Sequence, residues 1–125
     1  MNLGAMKILV VDDSFTMRRI VKQVLTSIGA QDFIEAKDGL DALAKLKENK
    51  IDLILTDWNM PEMDGMTFVK TVKATEHYKD IPIIMVTTES GKAEVVAALQ
   101  EGVRDYVVKP FTPDVIQTKL EKIFQ

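Results

Sequence analysis

The chain is predicted to fold as an α/β domain, a doubly wound (βα)5 unit around a five-stranded parallel sheet. Three observations lead there. Short apolar runs alternate five times with segments of helical period along the 125 residues. The runs are often β-branched, which suits strands covered on both faces. Glycine or proline punctuates most of the joins. One compact core is expected at this length, with residues 1–125 forming a single domain.

Each element can be justified in turn. Ile8–Val11 is the first strand; Met17, Ile20, Val21, Val24, Leu25 and Ile28 then step by three and four, one apolar stripe of a helix closed by Gly29. Phe33–Ala36 is the second strand, and Gly39 precedes the second helical pattern. Leu53–Leu55 is the third, with Gly65 ahead of its helix. Ile83–Val86 is the fourth, its helix opened by Ser90–Gly91 and ended by Gly102. Tyr106–Val108 is the fifth. Thr112 is placed to cap the last helix, with Pro113 at its first position and Ile116, Leu120, Ile123 and Phe124 as its stripe. Residues 1–5 are expected to be disordered or an addition to the native chain, because Met6 can itself serve as a start.

Composition excludes several classes of function. With 16 Lys+Arg against 19 Asp+Glu, the net charge of -3 argues against nonspecific nucleic-acid binding, which needs a clustered positive surface. The absence of cysteine rules out a disulfide framework and a thiolate metal site. No apolar run approaches the ~20 residues of a membrane span, and the N-terminus lacks the features of a secretory signal. A soluble, cytoplasmic protein is expected.

The strand ends carry the chemistry. Ligands of doubly wound sheets bind beyond the carboxyl ends of the strands. The first strand is followed there by Asp12–Asp13, the third by Thr56–Asp57, the fourth by Thr87–Thr88 and the fifth by Lys109–Pro110. Two carboxylates about 4 Å apart repel by about 1 kcal/mol in water and about 4 kcal/mol at an effective dielectric near ~20. Three of them call for a counter-charge, and an all-oxygen set suits Mg²⁺. Such a site neutralises charge during phosphoryl transfer, and an aspartate can attack phosphorus. Singly, each residue has a plainer reading: a capping aspartate pair, a turn aspartate, a β-branched strand end, a solvated lysine. Their coincidence at four strand ends favours a site.

The motifs VVDDSFTMRRIV, TDWNMPEMDG, MVTTE and YVVKPFT make the chain resemble receiver domains of two-component signalling, and among them the single-domain chemotaxis response regulators, from Met6 onward. The resemblance implies the flavodoxin-like strand order 2-1-3-4-5 and a cis Lys109–Pro110 bond. It implies Asp57 as phosphoacceptor and a Mg²⁺ held by Asp13, Asp57 and the backbone carbonyl of Asn59, with Asp12 acting through water. Lys109 would pair with the phosphoryl group, and Thr87 would swing toward it as Tyr106 changes rotamer. Implied partners are a histidine kinase of the CheA type, the flagellar motor switch protein and a phosphatase, approached by a monomer with no nucleic acid or membrane. The expected partner face comprises Lys92, Val95, Leu99, Val103, Tyr106, Val108 and Lys119, with core packing of Val95, Leu99 and Val103 as the alternative. Thr88 and Glu62 depart from the family pattern, one by size and one by charge. Both bear on the lifetime of the phosphoryl group.

His77, the one histidine, lies in the polar stretch ATEHYKD and is read as a surface residue. Met60, Met63 and Met66 are read as loop and core packing. A nucleotide or flavin binder would need a glycine-rich phosphate turn where two carboxylates stand. A phosphohydrolase would need room for a cap. An unphosphorylated scaffold would not need the acidic set with Lys109. Because the sequence runs only to Gln125, output through protein contact rather than DNA is expected, with a phosphorelay intermediate as the alternative.

Overall fold

The computed structural model describes residues 1–125. Its elements run β1 (Lys7–Val11), α1 (Phe15–Ser27), β2 (Asp32–Ala36), α2 (Gly39–Glu48), β3 (Leu53–Thr56), α3 (Gly65–Lys73), β4 (Ile83–Thr87), α4 (Lys92–Gln100), β5 (Asp105–Val108) and α5 (Pro113–Ile123). All neighbouring strands are parallel and the order is β2-β1-β3-β4-β5, as the resemblance implied. The order reverses between β1 and β3, which opens a crevice at their carboxyl ends.

Alternation along the strands divides the core into two layers. Leu9, Val11, Ile54, Ile83 and Met85 face one side, where α2, α3 and α4 cover them with Leu46, Phe68, Val72 and Ala98. Ile8, Val10, Leu55, Ile84 and Val86 face the other, under Val21 and Leu25 of α1 and Ile116 and Leu120 of α5. The three central strands are buried apart from Lys7 at the start of β1, whereas β2 is half exposed because it forms an edge of the sheet. The apolar stripe of α1 is also narrower than its spacing suggested. Val21 and Leu25 are buried, but Ile20 lies at the margin and is exposed.

Helix starts are set by side chains that accept the first free N–H groups. Ser14 accepts from Met17, Asp38 from Asp41 and Asp64 from Thr67. Gly39 and Gly65 are therefore first helical residues, each behind an aspartate cap. Thr112 stands at the cap position of α5 without a side-chain bond to its backbone, and Pro113 follows it. Gly65 is there for space. A Cβ at this position would lie 2.1 Å from the Asp57 carbonyl oxygen, because the loop after β3 folds back so that Gly65 N–H donates to the Trp58 carbonyl at 2.7 Å.

Residues Leu3–Ala5, within the segment expected to be disordered or appended, form a short 3-10 turn. Leu3 is buried in the second layer, since an apolar side chain gains by leaving water. No helix is long and apolar enough to cross a membrane.

Candidate functional site

The crevice collects residues from four strand ends. Asp57 N–H donates to the Val11 carbonyl at 2.9 Å, Asp12 N–H to the Ala36 carbonyl at 3.1 Å and Lys109 N–H to the Thr87 carbonyl at 2.9 Å. The sheet ladder thus continues one residue past each strand and sets the side chains at fixed height. Oxygen atoms of Asp12, Asp13 and Asp57 lie within 4.8 Å of one another. Lys109 Nζ sits among them, donating to Asp12 Oδ2 at 2.6 Å and to Asp57 Oδ2 at 3.0 Å. The Lys109–Pro110 bond is cis.

Burial makes these contacts strong. The side chain of Lys109 is 7% exposed and that of Asp12 5%. Water screens such groups weakly, so an unpaired charge would be costly. Burial pushes the Asp12 carboxyl above its ordinary range, against the lowering effect of the Lys109 hydrogen bond and of the Ser14 N–H, which reaches Asp12 Oδ1 at 2.9 Å. Asp57 Oδ1 accepts from Trp58 N–H at 2.6 Å. Three carboxylates and one ammonium leave two formal negative charges together. The donors are all oxygen, and the excess is that of a divalent cation, so the residues present fit Mg²⁺.

Thr87 closes β4 and is fully buried; its hydroxyl accepts from Glu89 N–H at 3.4 Å and makes no bond to Asp57. Tyr106, in the first core layer, donates its hydroxyl to the Glu89 carbonyl at 2.7 Å. Burial first, and then the charges of Glu89, Glu94 and Asp57, push the Tyr106 phenol up to about 12. The side-chain amide of Asn59 donates to Glu89 Oε1 at 2.8 Å, which links the loops after β3 and β4 across the mouth of the site. Glu62 takes a left-handed φ of 64° in the first of these loops. Thr88 is exposed and lines a groove of about 260 Å³ with Met17, Ile20, Lys109, Pro110 and Phe111.

Two further residues bear on the site. Trp58 contributes through its backbone, which no side-chain pattern reveals. Arg18 donates from Nη1 to the Asp12 carbonyl at 2.6 Å and from Nε to Glu35 at 2.9 Å. It precedes the buried Val21 and Leu25 by three and seven residues, so its position on the covered side of α1 was available as a signal.

The expected partner face is partly corrected. Lys92, Leu99 and Val108 are exposed, and Val95 is half-buried against the first layer. Val103 does not belong to that face: it is 4% exposed, because the turn closing α4 tucks it inward with its N–H on the Ala98 carbonyl. Tyr106 is likewise buried, and Lys119 is paired with Asp105 at 3.0 Å. Val96 adds an exposed apolar residue to that face. His77 is exposed, and Met60, Met63 and Met66 pack against the first layer, as expected.

Five parallel strands in this order, with a three-carboxylate rim bridged by one lysine, define a receiver. Residues 8–121 match the response regulator receiver domain, and the chain belongs to that family. Within the family it is similar to chemotaxis proteins. It is 56% identical to the chemotaxis protein CheY homolog of Campylobacter jejuni (strain 81-176), over 94% of this chain and 92% of that one. It is also 56% identical to chemotaxis protein CheY1 of Helicobacter pylori (strain J99), over 94% and 96%. Among solved structures, the chemotaxis response regulator CheY4 of Vibrio cholerae superposes with a TM-score of 0.84 at 37% identity, over 94% of this chain and 98% of that one. A chain of the CheX–CheY–BeF3–Mg²⁺ complex from Borrelia burgdorferi superposes with a TM-score of 0.89 at 28% identity, over 96% and 90%.

Proposed function

We propose that this protein is a phosphorylation-activated chemotaxis response regulator of the cytoplasm. Asp57 accepts a phosphoryl group from a phosphohistidine of a CheA-type kinase, and the phosphorylated form signals by contact with the flagellar motor switch protein. The observation that carries the reading is the position of Lys109 Nζ, 2.6 Å from Asp12 and 3.0 Å from Asp57, with Asp13 converging on the same point.

Asp13, Asp57 and the Asn59 carbonyl are the residues to hold Mg²⁺, with Asp12 acting through water. Bound there, Mg²⁺ supplies neutralisation of the charge that gathers between carboxylate and phosphate. The chain's own groups do the rest. A carboxylate oxygen of Asp57 forms the new bond to phosphorus while the phosphorus–nitrogen bond of the donor breaks, the imidazole nitrogen keeping the electron pair. Trp58 N–H and Lys109 fix the carboxylate plane through its two oxygens. Lys109 then offers its ammonium to one phosphoryl oxygen, and the Thr87 hydroxyl donates to another.

The same movement is the switch. A shift from 1:99 to 99:1 takes about 5.5 kcal/mol, and hydrogen bonds to charged groups contribute roughly 1.5–3 kcal/mol each. The bond from the Thr87 hydroxyl to phosphate is new and supplies part of it, whereas Lys109, already bonded to Asp12 and Asp57, exchanges one charged partner for another and adds less. Thr87 and Tyr106 both bond to the backbone of Glu89, one to its N–H and the other to its carbonyl. Release of the first contact supports release of the second, which frees Tyr106 to reorient. The exposed Lys92, Val96, Leu99 and Val108 suit an amphipathic peptide of the motor partner. A phosphatase that returns the protein to rest completes the cycle.

Transfer from a CheA-type kinase carrying labelled phosphohistidine tests the reading. Label moves to the wild type in Mg²⁺ and not to Asp57→Asn. Label that stays on the kinase, with both proteins folded, overturns it.

A further inference from the structure

Asp13 differs from its two companions. Asp12 is tied to Lys109 and Ser14 N–H, and Asp57 to Lys109 and Trp58 N–H, but no protein hydrogen bond holds the Asp13 carboxylate. Its place is set by the backbone before it. The carbonyl of that backbone, on Asp12, accepts from Arg18 Nη1 at 2.6 Å. The guanidinium is itself fixed from the far side, where Nε donates to Glu35 Oε1 at 2.9 Å and Glu35 Oε2 takes Lys22 at 2.9 Å. Arg18 is 14% exposed at its side chain, so the contact is sheltered. The Lys22 hydrogen bond first, and that of Arg18 with it, outweigh the raising effect of burial and keep the Glu35 carboxyl below the usual range.

We infer that Arg18 is a positioning residue for the acidic site, holding the Asp12–Asp13 peptide plane so that the Asp13 carboxylate converges with those of Asp12 and Asp57. Glu35 and Lys22 are its outer supports. The inference rests on the Mg²⁺ reading of the rim. A planar guanidinium suits the task because two of its nitrogens point in different directions, one along β2 and one to the end of β1. A lysine ammonium reaching the carbonyl cannot reproduce both bonds in one plane.

The sign of the effect separates positioning from simple electrostatics. Arg18 is a positive charge near a cation site, so through Coulomb repulsion alone its removal tightens Mg²⁺ binding. Positioning predicts the opposite, since loss of groups that orient a ligand costs roughly 10–100-fold in metal affinity. The experiment is a Mg²⁺ titration followed by the fluorescence of Trp58, which adjoins Asp57, in wild type, Arg18→Met, Arg18→Lys, Glu35→Gln and Arg19→Ala. Thermal unfolding in EDTA is run alongside.

Arg18→Met is expected to weaken Mg²⁺ about tenfold or more. Arg18→Lys recovers only part of this, Glu35→Gln loses about threefold, and the exposed Arg19→Ala matches the wild type. Arg18→Met that binds Mg²⁺ as well as the wild type, or more tightly, overturns the inference while leaving the site reading intact. A wild type that shows no Mg²⁺ response on fluorescence or calorimetry removes the site reading and this inference with it. Should Arg18→Met fail to fold, Glu35→Gln decides the matter, since it keeps the guanidinium and removes only its anchor.

Discussion

The rim at the ends of β1, β3 and β5 and the outer face of α4, β5 and α5 are built on opposite principles. At the rim, Asp12, Asp57 and Lys109 are packed together largely out of water, with Asp13 exposed beside them: each oxygen of Asp12 and Asp57 meets a donor, and one ammonium serves both residues. The outer face has the reverse composition, with Val96, Leu99 and Val108 exposed to 42%, 45% and 41% and an ion pair only at its margin, Lys119 to Asp105. The rim therefore holds electrostatic tension within the chain, which the proposed cation and phosphoryl group would relieve. The face holds apolar area that the chain itself does not cover. Tyr106 and Glu89 lie between them, and the hydroxyl-to-carbonyl bond at 2.7 Å is the physical link.

Substitutions should separate the two regions by the size of their effect on folding. The largest is expected for Lys109→Met, which strips two sheltered carboxylates of their cation. Denaturant unfolding in EDTA should show a loss of about 3 kcal/mol, with part recovered in Mg²⁺. A loss that is the same in both media would mean that the tension does not lie among the carboxylates.

Gly65→Ala follows. A methyl group placed 2.1 Å from the Asp57 carbonyl forces the loop outward, at about 2 kcal/mol by the cost of overpacking. It should also slow phosphorylation, because the displaced loop carries Asn59. Normal stability in this variant would show that the loop yields freely.

Tyr106→Phe removes one sheltered hydrogen bond and should cost about 1 kcal/mol near neutral pH. Its pH dependence has a definite sign. The phenol titrates near 10.0 in a free chain and is pushed up to about 12 in the fold, so between those values the folded state binds the extra proton. The stability contributed by the protonated phenol is complete below pH 10 and is lost as pH rises toward 12. The free energy of unfolding across this range should therefore fall more steeply for wild type than for Tyr106→Phe, and equal slopes would contradict the assignment.

Leu99→Ala is the smallest case for folding. An exposed side chain on α4 should change stability by less than about 0.5 kcal/mol while weakening binding of the proposed motor-switch partner about tenfold. A large fall in stability would place Leu99 in the core after all.

How far the sequence carried depends on the same contrast. Strand bounds came within a residue because central strands are continuous apolar runs, and the acidic set was legible because its members sit directly after those runs. The face was not. Spacing alone treats Leu99 and Val103 alike, yet the turn after α4 sends one outward and the other into the core. Ile20 was similarly misplaced, since a helical stripe gives a direction but no width. Asp38 and Asp64 cap their helices beside more conspicuous glycines, and only its spacing to Val21 and Leu25 sets Arg18 apart from the adjacent Arg19, because its partner is a backbone carbonyl.

The central claim is that Asp57 is the phosphoacceptor of a Mg²⁺-dependent site. Intact mass after incubation with acetyl phosphate tests it most directly, with wild type, Asp57→Asn and a wild-type sample in EDTA measured side by side. The account predicts a gain of one phosphoryl group in the wild type with Mg²⁺ and none in the other two. An unchanged mass in folded, Mg²⁺-bound wild type would contradict it, as would an equal gain in Asp57→Asn.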